Sequence, residues 1–125
     1  MKLKLKNGLP FVSVELFYHG RSLCMDSVLV DTGSTGTIFS ADQLSKVGIF
    51  LDVEDKLRRI IGVGGSEFVF TKLIQQLAMD DLIVKNFNIE VGEMNYGFEI
   101  DGIIGMDFLS QVNAVVDLAQ LEIYT

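Results

Sequence analysis

The sequence predicts a mostly β fold with one or two short helices, and three observations predict it. Apolar residues come in short runs of about strand length, many of them partly alternating with polar ones. Twelve glycines against a single proline, Pro10, punctuate those runs as turns. Helix signals, by contrast, occur at only two places. The 125 residues fit one domain, 1–125, and a chain of this size buries about 65% of its unfolded surface, enough for a core without disulfides or metals.

The elements follow in order along the chain. Phe11 to Phe17 alternates partly, His19-Gly20 makes a turn, and Ser22 to Val30 returns as an apolar run, so these residues predict a β-hairpin that ends at Asp31-Thr-Gly33. Ser40 with Gln43 three positions later has the form of a capping box, and Gly48 supplies a stop, which predicts a helix over 41–47. Leu57 to Ile61, the turn Gly62-Val63-Gly64-Gly65 and Glu67 to Met79 predict a second hairpin. Asp80-Asp81 then turns the chain into Leu82 to Val91. A loose segment from Met94 to Glu99 precedes Asp101-Gly-Ile-Ile-Gly105. A helical turn at Asp107 to Gln111 and strands at Ala114 to Leu118 and Leu121 to Tyr124 close the chain. Phe39, Phe50, Phe68, Phe70, Phe87, Phe98 and Phe108 are expected in the core, and Asp107 is expected to cap the helical turn.

Composition excludes several function classes. Apolar residues make up 49% and charged ones 22%, the balance of a globular protein rather than a disordered one. The longest uncharged stretch, Thr32 to Ala41, is far short of the roughly 20 residues a spanning helix needs. Met1 to Lys6 alternates charge and leucine rather than forming a secretory apolar segment, so a cytoplasmic protein is expected. The lone Cys24 cannot pair within the chain and is expected as an inert, packed thiol on a strand. The net charge of −7 is uneven: residues 1–72 carry nine Lys/Arg and eight Asp/Glu (+1), residues 73–125 one and nine (−8). Such a chain repels phosphate backbones, which argues against nucleic-acid binding. His19 has no neighbouring His or Cys to share a metal, and Gly62 to Gly65 lacks the phosphate-loop and dinucleotide patterns, so neither metal nor cofactor is expected.

The chemistry lies elsewhere. Asp-Thr-Gly alone turns up by chance in about one chain of this length in twenty, but its placement adds weight. The apolar run Val28-Leu-Val30 delivers Asp31, and Gly33, Ser34 and Gly36 then turn the backbone, so that N–H groups can approach a rigidly held carboxylate. About seventy positions later comes Ile103-Ile104-Gly105.

Val30-Asp-Thr-Gly-Ser34, followed by Asp101-Gly-Ile-Ile-Gly-Met-Asp-Phe-Leu109 and Ala114-Val-Val-Asp-Leu118, resembles the clan of pepsins and retroviral proteases over about residues 10–124. The resemblance implies a single-lobe acid-protease barrel with a flap hairpin and an aspartic endopeptidase of retropepsin-like type. Asp31 matches the catalytic aspartate, Thr32 the residue whose hydroxyl locks two active-site loops together, and Gly33 the one whose N–H reaches the carboxylate. Ser34 matches a serine that steadies the outer carboxylate oxygen. Ile103, Ile104 and Gly105 match the segment passing beside the catalytic loop, and Gly62, Val63, Gly64 and Gly65 match the flap tip. Two departures stand out: Met106-Asp107 replaces the arginine that braces retroviral dimers, and the flap lacks the pepsin tyrosine.

The implied mechanism needs two carboxylates that share a proton. A chain with one Asp-Thr-Gly loop must therefore meet a second copy about a two-fold axis, so the expected partners are a homodimer mate and a peptide or protein substrate. Alternating Lys and Leu at 2–6 and Leu121-Glu-Ile123 could form part of that interface or pair within their own chain. Two other readings compete: a catalytically silent, protease-like dimerisation or peptide-binding module, and one domain of a longer membrane or regulatory protein.

Overall fold

The structure, a computed structural model, describes residues 1–62 and 65–125. Among the described residues ten strands and two short helices follow one another, the hairpins, helices and closing strands in the expected order and the short strands β4 and β8 unforeseen: β1 (Lys4–Lys6), β2 (Leu9–Tyr18), β3 (Arg21–Val30), β4 (Ile38–Ser40), α1 (Ala41–Ser45), β5 (Arg58–Gly62), β6 (Gly65–Met79), β7 (Leu82–Gly92), β8 (Gly102–Ile104), α2 (Met106–Gln111), β9 (Val115–Asp117) and β10 (Glu122–Tyr124). The main sheet has the order β1-β2-β3-β8-β4-β7-β6-β5, and β6 also pairs with β2 through Glu15, Leu16 and Phe17. That extra pairing joins β2-β3-β8-β4-β7-β6 into a ring consistent with the barrel expected above, closed through pairings of three residues at β3–β8, β4–β7 and β2–β6.

Local chemistry explains the turns. His19 and Gly20 both take positive φ, 46° and 80°, the backbone twist that two-residue hairpins favour. A register shift between Val12 and Val14 sets two β3 residues, Asp26 and Ser27, against one on β2, so that Met25 and Val28, three positions apart, both enter the larger apolar cluster. The larger cluster holds Leu16, Phe39, Ile89, Ile104 and Phe108, and the smaller gathers Phe11, Ile38, Val69, Met94 and Ile100. Phe108 anchors α2, meeting Phe87 edge-on with ring centroids 5.9 Å apart, and burying such a side chain is worth about 1.5–3 kcal/mol.

Several expectations are corrected. The first helix is Ala41–Ser45, and Ser40 makes no side-chain cap because it is a buried residue of β4 whose N–H donates to the Asp101 carbonyl. Gln43 turns instead to Asp101 Oδ1, 3.1 Å away. Gly48 does end the helix, with φ +82° and the Ile49 N–H returning to the Leu44 carbonyl. Phe50, Phe68 and Phe98 are exposed rather than core, the first and last in loops and Phe68 on the outer face of β6. Cys24 lies on a strand as expected but on its solvent face, 3.7 Å from Glu15 Oε2. Partial desolvation, then Glu15 and Asp26, hold its thiol above the usual range, so it is a poor nucleophile.

The chain ends pair with each other. Leu3 N–H donates to Leu121 O, Ile123 N–H to Met1 O, and Lys2 Nζ meets Glu122 Oε1 at 2.9 Å. Leu3 and Ile123 are buried by this pairing. No helix among the described residues is long and apolar enough to cross a membrane.

Candidate active site

Sheet order dictates the site. The short strand β8 is inserted between β3, to which it runs parallel, and β4, to which it runs antiparallel, with Val30 beside Ile104 and Ile38 beside Ile103. Residues 31–37, which connect β3 to β4, must therefore cross the end of β8. At that crossing the two backbones touch: a Cβ on Gly105 would lie 2.2 Å from the Gly36 carbonyl oxygen and 2.9 Å from that of Ser34. At the start of β8, three residues earlier, a Cβ on Gly102 would lie 2.3 Å from the Phe39 ring. Both glycines of Gly102-Ile-Ile-Gly105 are thus explained by close approach.

Asp31 begins the crossing loop. Its N–H donates to Ile104 O at 3.0 Å, its carbonyl accepts from Ser34 N–H, and its Oδ1 accepts from Gly33 N–H at 2.9 Å. The side chain is half-buried, and among the described residues Oδ2 has no hydrogen-bond partner within the chain. Thr32 and Gly33 are exposed at the loop tip. The Ser34 hydroxyl departs from expectation: it donates to the Gly36 carbonyl at 2.7 Å, bracing the loop rather than the carboxylate. Ile104 is fully buried, whereas Ile103 is partly buried against the smaller cluster.

A second set of bonds ties the loop to α2. Met106 and Asp107 donate their N–H groups to the carbonyls of Ser34 and Thr35, at 2.8 and 3.2 Å. Thr37, 1% exposed, donates its hydroxyl to Asp107 Oδ1 at 2.7 Å and its N–H to Oδ2 at 3.2 Å. The same hydroxyl accepts from Gly105 N–H at 3.1 Å. Asp107 is not the expected cap, since Gly105 stands at the head of α2 and no side chain caps it; from the first turn its carboxylate takes the Phe108 N–H and reaches back 70 residues. Sequence reasoning missed Thr37, because a threonine at the end of a loop, just before the apolar β4, gives no local sign of a distant partner.

The hairpin expected as a flap is formed by β5 and β6, paired from Arg58 with Val69 to Gly62 with Gly65. Of the expected tip, Gly62 to Gly65, Val63 and Gly64 lie outside the described residues. Two links hold the base of this hairpin. Arg58 pairs with Glu90 on β7, whose Oε1 lies 3.2 Å from where a Gly36 Cβ would be. Glu67 accepts from the Tyr96 hydroxyl at 2.6 Å and from Met94 N–H at 3.2 Å. Burial first, then the bond to Glu67, pushes the Tyr96 phenol well above its ordinary range, so it stays a donor. These pairs are separated by 32 and 29 residues, and no sequence pattern announced them. Among the described residues no group of His, Cys, Asp and Glu side chains could hold a metal ion.

Comparison with known proteins agrees with this geometry. A family profile described as aspartyl protease matches residues 18–108. Among solved structures, the chain is similar to a retropepsin-like aspartic protease from Rickettsia conorii, with a TM-score of 0.70 and 18% identity over 98% of this chain and 95% of that one. At that identity the likeness is one of fold. No curated protein matches the sequence significantly.

Proposed function

The chain belongs to the aspartyl protease family, and from that premise we propose that it is an aspartic endopeptidase in which residues 1–125 form one domain and two such domains form a homodimer. The observation that carries the proposal is Asp31. Its carboxylate is half-buried, fixed through Oδ1 by Gly33 N–H, and set on a loop clamped to Gly105. One chain supplies one such group, and the reaction needs two.

In the proposed site the two Asp31 carboxyls share a proton, because both cannot ionise in contact at low cost. The ionised member takes a proton from a water molecule as its oxygen attacks the peptide carbonyl carbon. The protonated member gives its proton to the carbonyl oxygen. Collapse of the tetrahedral species breaks the C–N bond, and a proton passes to the leaving amine. Thr32, exposed at the loop tip, would lock the two loops across the axis. Ser34, Ile103, Ile104 and Gly105 support the loop, and Gly62 to Gly65 would close over an extended peptide. With the chain ends paired within the protomer, the interface would not rest on exchanged terminal strands. A reducing, cytoplasmic setting suits the unpaired, exposed Cys24.

The test combines a substitution with dilution. Asp31→Asn preserves side-chain volume but removes the shared-proton pair, so peptide turnover should vanish while circular dichroism stays unchanged. Specific activity of the native chain should rise with concentration and level off as sedimentation shows dimer replacing monomer. Turnover retained by a folded Asp31→Asn variant, or flat specific activity where only monomer sediments, would sink the proposal.

A further inference from the structure

We propose that Thr37 and Asp107 are positioning residues for Asp31, acting through Gly105; the inference rests on the aspartic-peptidase reading above. The polarity of the hydrogen bonds fixes their direction. Gly105 N–H can only donate, so the Thr37 hydroxyl accepts from it and must spend its own proton on Asp107 Oδ1. Asp107 receives donors only, from Thr37 N–H, the Thr37 hydroxyl and Phe108 N–H, which is the arrangement an ionised carboxylate satisfies and a carboxamide does not.

The relay reaches the catalytic group in one further step. Gly105 follows Ile104, whose carbonyl accepts the Asp31 N–H at 3.0 Å. Gly105 also lies directly beneath the Gly36 and Ser34 carbonyls of the loop that Asp31 begins. A shift of Gly105 along β8 therefore moves both the Ile104 carbonyl that holds Asp31 and the surface on which the loop rests. Because Thr37 is 1% exposed, water cannot replace a lost partner without opening the site. Two carboxyls that must share one proton tolerate little displacement, and a misplacement of about 1 Å costs roughly a hundredfold in rate.

The test separates positioning from simple stapling of the fold by measuring turnover per working site. Sites are counted by titration with a statine-type inhibitor, so loss of folded protein drops out. Thr37→Val should lower kcat per titrated site about ten- to hundredfold, with KM nearly unchanged, whereas Thr37→Ser should restore it to within about twofold. Asp107→Asn turns a donor toward Thr37 N–H and should fall between, without moving the midpoints of the pH profile, since Asp107 does not itself exchange the proton. Should Thr37→Val fail to fold, Thr37→Ser against Asp107→Asn carries the same comparison. Thr37→Val or Asp107→Asn sites that turn over at the native rate, with only thermal stability reduced, would overturn the inference and leave the peptidase reading intact. Native protein with no turnover at dimer concentrations would overturn both.

Discussion

Replacing Gly105 by alanine sets two opposite effects against each other. Gly105 has φ −103° and ψ −173°, extended backbone that alanine adopts without strain, and stiffening the unfolded chain would by itself stabilise by about 0.4–1 kcal/mol. Contact decides otherwise. The new Cβ would sit 2.2 Å from Gly36 O, 2.7 Å from Gly36 C and 2.9 Å from Ser34 O. These are backbone atoms with no rotamer to change. The crossing must open by about 1 Å to reach ordinary contact. Overpacking of this kind costs about 1–3 kcal/mol. Opening also weakens Met106 N–H to Ser34 O and Gly105 N–H to Thr37 Oγ1, at about 0.5–1.5 kcal/mol each. The expected net loss is about 1–6 kcal/mol, or a fall in Tm of roughly 4–24 °C for a chain of this size. Because Asp31 sits on the displaced loop, kcat per folded site should fall about a hundredfold. Scanning calorimetry and titrated kinetics measure the two effects. A Gly105→Ala variant with native Tm and native rate would show that the loop does not rest on β8 as described.

Two further outcomes follow from charge. In the proposed dimer the rate should be bell-shaped in pH: with both Asp31 carboxyls protonated no base remains, and with both ionised no acid remains. A rate that climbs into alkaline solution and ignores a statine-type inhibitor would mean that another group does the chemistry. The second outcome concerns Lys72, whose Nζ lies 2.7 Å from both Asp52 and Asp55 and pins residues 52–55 to β6. The bond from Lys72, then that to the Asp52 backbone, holds the Asp55 carboxyl below its ordinary value of 3.8. The lowered group stabilises the fold above that value and ceases to as pH falls through the lowered one. Lys72→Met should therefore be less stable than the native chain at neutral pH, with the gap narrowing below about pH 4 in urea titrations; a gap independent of pH would contradict the ion pair.

Much of the fold was legible because its signals are local. His19-Gly20, Asp80-Asp81 and Gly48 mark turns and a helix end by backbone preference, and the positive φ at His19, Gly20, Asp80 and Gly48 bears them out. The order of the hairpins, helices and closing strands and the two motifs could be read for the same reason, whereas the short strands β4 and β8 could not. The helix start misled: the Ser40 and Gln43 spacing had the form of a capping box, but burial of Ser40 in β4 and the pull of Asp101 on Gln43 outweighed the local preference. The exposed Phe50, Phe68 and Phe98 misled in another way, since hydrophobicity says that a residue can be buried, not that the fold has room for it.

By itself the sequence determined which residues were candidates: an aspartate delivered by an apolar strand, with a glycine two positions on, and a later pair of isoleucines ending in glycine. Those properties belong to single residues and their neighbours, so they survive in one dimension. Only the tertiary structure decided what the residues touch. It inserted β8 between β3 and β4, and so made the Gly33–Gly36 turn cross Gly105. It turned Ser34 to the Gly36 carbonyl and joined the chain ends within the protomer. It also brought Thr37 and Asp107 together across 70 residues. Contacts of this kind depend on closure of the whole ring of strands, and the free energy that selects them comes from burying two apolar clusters at once, which no local stretch of chain encodes.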